Sequence, residues 1–472
     1  MPRPEIPAGP YLVVGLARSG VAAALALRER GEEVLGLDAG TPSGSGALRD
    51  AGVDLFIDDQ DGIALLDRIG VVVKSPGVPA QAAVIKAARE RGIPVLGELE
   101  LAWRLLENEF VAVTGTNGKT TTVELIGHIY REAALPVAVA GNVGTALSSL
   151  VGSLDAAATV VCEASSFQLE DTLEFAPQAA VLLNIAPDHL DRHGTIEAYS
   201  AAKLEAFARQ RAEDVAVLPR ELVERLAWAG AKSATSAAGE RADPIPGEAR
   251  RVDFGWDSSA ALFELDGELW WEGRGLIALS ELRLRGRHNV ENAMAAAAVC
   301  LARGIDADAV RAGLRSFEGV AHRLEEIAEH DGALYVNDSK ATNVASTLVA
   351  LDAFAGRSVH LILGGQGKGQ SFAALRDAVQ RTCAAVYLIG EDAPAIAAAL
   401  QNIGPAVCEC GDLERALATA VGALASDPRA LDPSGRSGPV VLLSPACASF
   451  DQFADFEARG ERFRELVEKL QG

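Results

Sequence analysis

The sequence predicts an α/β protein of three domains, and three observations carry that prediction. Short apolar runs alternate with helical patterns along most of the 472 residues, which is how parallel βαβ units read in sequence. Three glycine-rich turns, beginning at Gly15, Gly115 and Gly364, each follow an apolar run, where open parallel sheets hold their ligands. Alanine, leucine and valine are abundant while only 5% of residues are aromatic, a composition suited to helices packed tightly on sheets. The length exceeds what one hydrophobic core organises. The expected domains are residues 1–104, 105–319 and 320–472.

In the first domain, strands are expected at residues 11–14, 33–38, 71–73 and 93–96. An alanine-rich helix follows the first strand and another covers 98–106, so the domain reads as Rossmann-like. The second domain opens with a strand at 110–113 and a helix running through Leu125, Ile126 and Ile129. Strands at 137–139, 159–162 and 180–183 give it a mostly parallel, P-loop ATPase-like sheet. Residues 220–272 are polar and read as less regular, with a short antiparallel patch around Trp270 and Trp271. A helix over 289–302 closes this domain. The third domain, with strands at 334–336, 359–363, 385–389 and 440–443, is again Rossmann-like. Its residues 427–439, rich in Pro, Ser and Gly, read as a loose linker.

Net charge is −22, from 65 acidic and 43 basic residues. That sign disfavours general nucleic-acid binding but not small anions, which need only local N–H groups and a few cations. Residues 1–10 lack the basic and apolar regions of a signal peptide. The most apolar stretch, around 293–301, is too short to span a bilayer. Of the six cysteines only Cys408 and Cys410 lie close together, and no second pair or histidine cluster completes a zinc site. A cytoplasmic protein with reduced cysteines is expected, without nucleic-acid binding or membrane insertion.

The most informative segment is Val113-Thr114-Gly115-Thr116-Asn117-Gly118-Lys119-Thr120. N–H groups in such a loop, and at the start of the following helix, point at an anion. Lys119 would reach the outer phosphates, and the Thr120 hydroxyl is placed for Mg²⁺. The full P-loop spacing requires glycine at 113, which is valine, so the shorter Gly115-x-x-Gly118-Lys119-Thr120 remains. The first turn, Gly15-Leu16-Ala17-Arg18-Ser19-Gly20, carries alanine at the middle glycine of a dinucleotide fingerprint, and Asp38 ends the next strand. A nucleotide, a nucleotide-sugar and NAD all remain open there. The third turn, Leu363-Gly364-Gly365-Gln366-Gly367-Lys368-Gly369, has glycine after its lysine, so no hydroxyl is placed for a metal. A carboxylate site and a plain surface loop are both open.

Glu163 stands at the end of an apolar strand, and Asn184-Ile185-Ala186-Pro187-Asp188-His189-Leu190-Asp191 follows the next one. Carboxylates at such strand ends face ligands in open sheets, and Glu163, His189 and Thr120 together could serve Mg²⁺. Taken singly, Lys203 reads as a solvated helix lysine and Asn289 as a helix cap. His322-Arg323 and Asn337-Asp338-Ser339-Lys340-Ala341-Thr342-Asn343 are polar segments beside strands, suggesting loops at the mouth of a sheet.

These segments, with Gly141-Asn142-Val143-Gly144, His288-Asn289-x-x-Asn292 and Ser444-Pro445-Ala446-Cys447-Ala448-Ser449, resemble the muramyl peptide ligase family over nearly the whole chain. Residues 337–343 and 444–449 are similar to its D-glutamate-adding branch. The resemblance implies that ATP phosphorylates the carboxylate of UDP-N-acetylmuramoyl-L-alanine. The D-glutamate amine then attacks the acyl phosphate, and a tetrahedral intermediate loses phosphate.

The same resemblance implies roles. Lys119, Glu163, His189, Lys203 and Arg323 would be catalytic. Gly115, Thr116, Asn117, Gly118, Lys119, Thr120 and Thr121 would hold ATP, with Asn289, Asn292, Arg323 and Asp338. Leu16, Ala17, Asp38, Asn142, Ser165 and His189 would contact the UDP-substrate; Thr342, Lys368, Ser449 and Phe456 would hold D-glutamate. Two Mg²⁺ ions are implied, one on Thr120 and Glu163, the other on His189 and a carbamylated Lys203. A monomer is expected, with the third domain closing on the acyl phosphate. A related ligase adding another amino acid, including the folate-polyglutamate kind, is one alternative. A nicotinamide-dependent oxidoreductase and a nucleotide-binding regulator are the others.

Overall fold

Apolar runs buried on both faces favour parallel strands in the middle of a covered sheet, and three such sheets form. The computed structural model describes residues 3–470, apart from 41, 43, 59–61, 234–244, 285, 368 and 425–437. The first sheet contains β1 (Tyr11–Val14), β2 (Val34–Asp38), β3 (Asp54–Ile57), β4 (Val71–Lys74) and β5 (Val95–Gly97), all parallel in the order β3-β2-β1-β4-β5. The order reverses between β1 and β4, and open α/β sheets bind ligands beyond the carboxyl ends of strands at such a point. The small residues Ala23 and Ala24 of the helix Arg18–Glu29 let it sit close to Tyr11, Val13 and Val71 in one core.

The second sheet contains β6 (Phe110–Thr114), β7 (Val137–Gly141), β8 (Thr159–Glu163), β9 (Ala179–Leu182), β10 (Val215–Pro219), β11 (Arg250–Gly255), β12 (Leu262–Leu265), β13 (Glu268–Trp271) and β14 (Arg274–Ala278). Their order is β14-β13-β12-β11-β10-β9-β6-β8-β7. Pairing is parallel from β7 across to β12 and antiparallel through β13 and β14, so the patch expected at Trp270 and Trp271 is present. Residues 220–272 are more regular than expected, with a helix at Arg220–Ser233 followed by β11, β12 and β13. The polarity there comes from strands with one covered face: Val252, Phe254, Leu262 and Leu269 are buried while Arg250, Arg251 and Leu265 are exposed.

The third sheet contains β15 (Glu325–His330), β16 (Ala333–Asn337), β17 (Val359–Gly364), β18 (Cys383–Ile389), β19 (Ala406–Gly411) and β20 (Val440–Leu443), in the order β15-β16-β20-β17-β18-β19. Only the β15–β16 pair is antiparallel. Alternate residues of the strands face opposite sides: Val336, Leu361 and Leu363 enter one core, Tyr335, Ile362 and Leu443 another.

The first two sheets belong to one compact unit, Met1–Arg283 with His288–Phe317, and the third to a second, Leu284–Arg287 with Glu318–Gly472. The linker expected at 427–439 lies outside the described residues except for its last two positions. All six cysteines are free thiols. Among the described residues no helix is long and apolar enough to cross a membrane.

Candidate active site

Beyond β6 the chain turns sharply into the helix Lys119–Glu132, and glycine makes the turn at two positive φ angles, +155° at Gly115 and +86° at Gly118. A Cβ on Gly118 would lie 2.2 Å from Asn292 Oδ1. The loop is tied to the chain after β9. Thr116 N–H donates to Asn184 O at 3.1 Å and Asn117 N–H to Asn184 Oδ1 at 2.9 Å, while Asn184 Nδ2 returns a bond to Asn117 O at 3.1 Å. Tyr199 Oη and Ala186 N–H both donate to Thr116 Oγ1, at 3.2 and 3.0 Å. Lys119 Nζ donates to Gly115 O at 2.9 Å and Thr116 O at 3.0 Å.

Glu163 ends β8 and is 2% exposed. Both its carboxylate oxygens are held: Thr120 Oγ1 donates to Oε2 at 2.8 Å, and Asn142 Nδ2 to Oε1 at 3.0 Å. Gly141 lets the chain after β7 come this close, because a Cβ there would lie 2.3 Å from Glu163 O. A buried hydroxyl and a buried carboxylate are hard oxygen donors of the kind Mg²⁺ combines with phosphates and water. The pair therefore fits that ion. Among the described residues, no group of three or more His, Cys, Asp or Glu could hold a metal by itself.

Lys203, expected from spacing alone to be solvated, is instead 1% exposed. Its Nζ donates to Gly115 O at 2.8 Å and lies 4.4 Å from the centre of the Tyr199 ring. Burial, reinforced by the charge of Lys119, lowers its amine to about 7, against the pull of Asp188 and Glu163. His189 has φ +51° and is half-exposed; its N–H donates to Asp188 Oδ1 at 2.9 Å, and its ring stands 4.8 Å from that of Phe167. Asn289 and Asn292 are buried together, with Asn292 Nδ2 donating to Asn289 Oδ1 at 3.1 Å. Ser165 caps the short helix Ser166–Leu169 in a reciprocal arrangement with Gln168. Thr121 is buried in the first turn of the phosphate-loop helix.

At the first glycine turn, Gly15 has φ +85°. Asp38 ties the turn together by accepting from Leu16 N–H at 2.6 Å and Gly40 N–H at 2.8 Å. Ala17 is the N-cap of the helix Arg18–Glu29. Ser75, after β4, donates to Gly15 O at 2.7 Å.

In the second unit Asp338 follows β16 and is 5% exposed. It accepts from Ser444 Oγ at 2.8 Å and Leu324 N–H at 3.2 Å. Burial pushes its carboxyl up to about 7, outweighing Ser444, the Arg323 charge and Leu324 N–H. Arg323 is half-buried, its N–H donating to Val320 O at 3.1 Å. Ser339 Oγ donates to Phe456 O at 2.8 Å, and Arg459 Nε donates to Ser339 Oγ at 2.9 Å. Gly364 and Gly365 adopt φ +123° and +133° because the neighbouring backbone leaves no room for a Cβ, Ile389 O and Ala448 O lying within 2.0 and 2.3 Å of that position. Ser449 is buried and Thr342 half-buried. Lys368 lies outside the described residues.

Residues 113–300 match the Mur ligase middle domain and 322–447 the Mur ligase, glutamate ligase domain. The UDP-N-acetylmuramoylalanine–D-glutamate ligase of Anaeromyxobacter dehalogenans is 44% identical over 99% of both chains. The chain belongs to the Mur ligase family. A relative of the same name from Pelotomaculum thermopropionicum is 40% identical over 97% of each chain. The UDP-N-acetylmuramate–alanine ligase MurC of Thermotoga maritima shares this Mur ligase's fold, with a TM-score of 0.57 at 21% identity over 98% of this chain and 99% of that one. MurF from the same organism, solved in complex with ADP, gives 0.56 at 17% identity over 93% and 95%.

The sequence assigns no role to two residues of this Mur ligase. Asn184 clamps the phosphate loop, and its signal was an amide directly after an apolar strand. Arg459 is 1% exposed and donates to Ser339 O, Cys447 O and Ala448 O as well as Ser339 Oγ. It joins three segments of the second unit, yet in sequence it is an ordinary helix arginine.

Proposed function

We propose that this Mur ligase joins D-glutamate to UDP-N-acetylmuramoyl-L-alanine with cleavage of ATP to ADP, as a cytoplasmic monomer supplying peptidoglycan precursors. The observation that carries this reading is the buried Thr120–Glu163 pair, with Asn142 on the second carboxylate oxygen, beside a glycine loop with two lysines on one carbonyl. Near-full-length similarity to ligases of that name supports it.

In this reading residues 1–104 bind the nucleotide-sugar, 105–319 ATP and metal, and 320–472 the amino acid. Loop residues 115–121 and buried Asn289 and Asn292 would cradle ATP, and Arg323 and Asp338 would also serve it. Thr120 and Glu163 would hold one Mg²⁺, and His189 with a carbamylated Lys203 the other. Bound there, the metal neutralises phosphate charge. Leu16, Ala17 and Asp38 orient the uridine diphosphate; Asn142, Ser165 and His189 face the muramoyl part. The substrate carboxylate attacks the γ-phosphorus and ADP leaves. Lys119 and Arg323 offset the charge that two anions bring together. The D-glutamate amine, oriented by Thr342, Lys368, Ser449 and Phe456, then adds to the acyl carbon. The tetrahedral adduct expels phosphate, and the amine proton passes to solvent.

ADP release with ATP, Mg²⁺ and UDP-N-acetylmuramoyl-L-alanine, compared among D-glutamate, L-glutamate and no amino acid, tests the proposal. Release and a one-glutamyl mass gain with D-glutamate alone are expected. Turnover with a different amino acid or acceptor would move the substrate assignment elsewhere in the family.

A further inference from the structure

Lys74, the last residue of β4, is fully buried, and the active-site roles above leave it unused. Its Nζ donates to Val78 O at 2.9 Å and pairs with Asp171 Oδ2 at 2.7 Å and Glu170 Oε1 at 3.9 Å. Removing a lysine charge from water costs several kcal/mol unless partners and hydrogen bonds answer it, so its place calls for an explanation.

The partners lie on chain that leads from the reacting groups. Glu170 and Asp171 directly follow the helix Ser166–Leu169, which begins just past Glu163. Arg192 belongs to the short helix Leu190–His193, which begins directly after His189. Its guanidinium pairs with Glu170 at 3.6 Å, donates to Pro76 O at 3.5 Å and lies 4.0 Å over the Phe167 ring. His193 completes the contact, with Nε2 3.0 Å from Ser166 Oγ and its ring stacked on Phe167. The loops after β4, β8 and β9 thus meet on one ionic cluster. The β4 loop also supports the first glycine turn through Ser75.

We infer that Lys74 and Arg192 are positioning residues of the ligase reaction, which lock the loops bearing Glu163 and His189 to the loop that supports the nucleotide-sugar turn. The inference rests on the proposed function. A substrate anchored by its nucleotide at one end and reacting at the other requires that spacing to be held, because a misplacement of about 1 Å costs roughly a hundredfold in rate. ATP, held by the phosphate loop, does not depend on this spacing for binding.

The test is Arg192→Met, which keeps an apolar stem over Phe167 and removes the bonds to Glu170 and Pro76. The side chain is 24% exposed, so the variant is expected to fold and to melt within a few degrees of wild type. The KM for UDP-N-acetylmuramoyl-L-alanine should rise about tenfold and kcat should fall, with the ATP KM within about twofold. Lys74→Met, which leaves the buried Asp171 with Arg89 at 3.4 Å, should show the same split with a lower melting temperature. Unchanged constants in Arg192→Met, or equal changes for both substrates, would overturn the inference while wild-type turnover keeps the functional reading intact. A wild type inactive with these substrates would overturn both.

Discussion

Lys119 and Lys203 donate to the same acceptor, the carbonyl oxygen of Gly115, at 2.9 and 2.8 Å. Two amines on one loop carbonyl bring cationic groups to the loop proposed to hold the triphosphate. The arrangement also sets them against each other, and the buried Lys203 amine is pushed down to about 7.

In the proposed reaction Lys119 is the cation that acts on phosphate. Lys119→Ala should lower kcat/KM by roughly a hundredfold, about 3 kcal/mol of transition-state stabilisation. Steady-state ADP release with saturating D-glutamate measures this. Near-normal turnover would remove Lys119 from the mechanism.

Gly118 combines φ +86° with a Cβ position 2.2 Å from Asn292 Oδ1. Gly118→Ala should strain the loop by about 1–3 kcal/mol and push Asn292 aside, raising the ATP KM at least about tenfold. Adding Asn292→Ala relieves the clash but neither the backbone strain nor the loss of a proposed ATP contact, so affinity should stay below wild type. Nucleotide titration of both variants checks this, and ATP affinity equal to wild type in Gly118→Ala would show that phosphate binds elsewhere.

The phosphate loop is legible in sequence because its signals are local: an apolar strand, two glycines, a lysine and a hydroxyl within eleven residues. The three sheets are legible for the same reason, through the alternation of strand and helix patterns. Residues 220–272 mislead because a strand with one wet face dilutes its apolar signal, and β15 is not legible in sequence, its run Glu325–His330 being largely charged. Convergence across the chain is what spacing cannot show. Nothing in the residues around Lys203 reveals that a loop carbonyl from Gly115 covers its amine, or that Ser444 closes over Asp338. Family resemblance singled out those residues; burial and hydrogen bonding give the physical reason they behave unusually.

Asp338 should give the second unit a distinctive pH dependence. Its carboxyl, near 3.8 in an unfolded chain, titrates at about 7 in the fold because burial disfavours its charge. The folded state therefore keeps a proton that the unfolded chain loses. Stability from this group is complete below about pH 4 and is lost as pH rises through about 7, by on the order of a few kcal/mol. Asp338→Asn, neutral at every pH and able to accept from Ser444, should flatten that slope and leave the unit at least as stable near pH 8. Urea melts between about pH 5 and 8 measure both, and a slope unaltered by the substitution would mean the carboxyl is ionised in the fold.

Lys203 should respond to carbon dioxide. Its amine titrates at about 7 instead of 10.5, so near neutrality a large fraction is unprotonated and nucleophilic. Addition of CO₂ forms an N–C bond, releases one proton and replaces the cation by a carbamate. Like-charge repulsion from Lys119 then becomes attraction, which favours the modified state in this pocket and not on an exposed lysine. Turnover should fall in CO₂-depleted buffer and recover with bicarbonate, more completely at about pH 8 than at about pH 6.5, where protonation competes for the amine. Lys203→Met should be slow and indifferent to bicarbonate. Native mass measurement should find one added CO₂ in the wild type and none in the variant. Turnover independent of bicarbonate, in a protein whose native mass shows no addition, would leave Lys203 as a neutral amine whose role is to hold the Gly115 carbonyl.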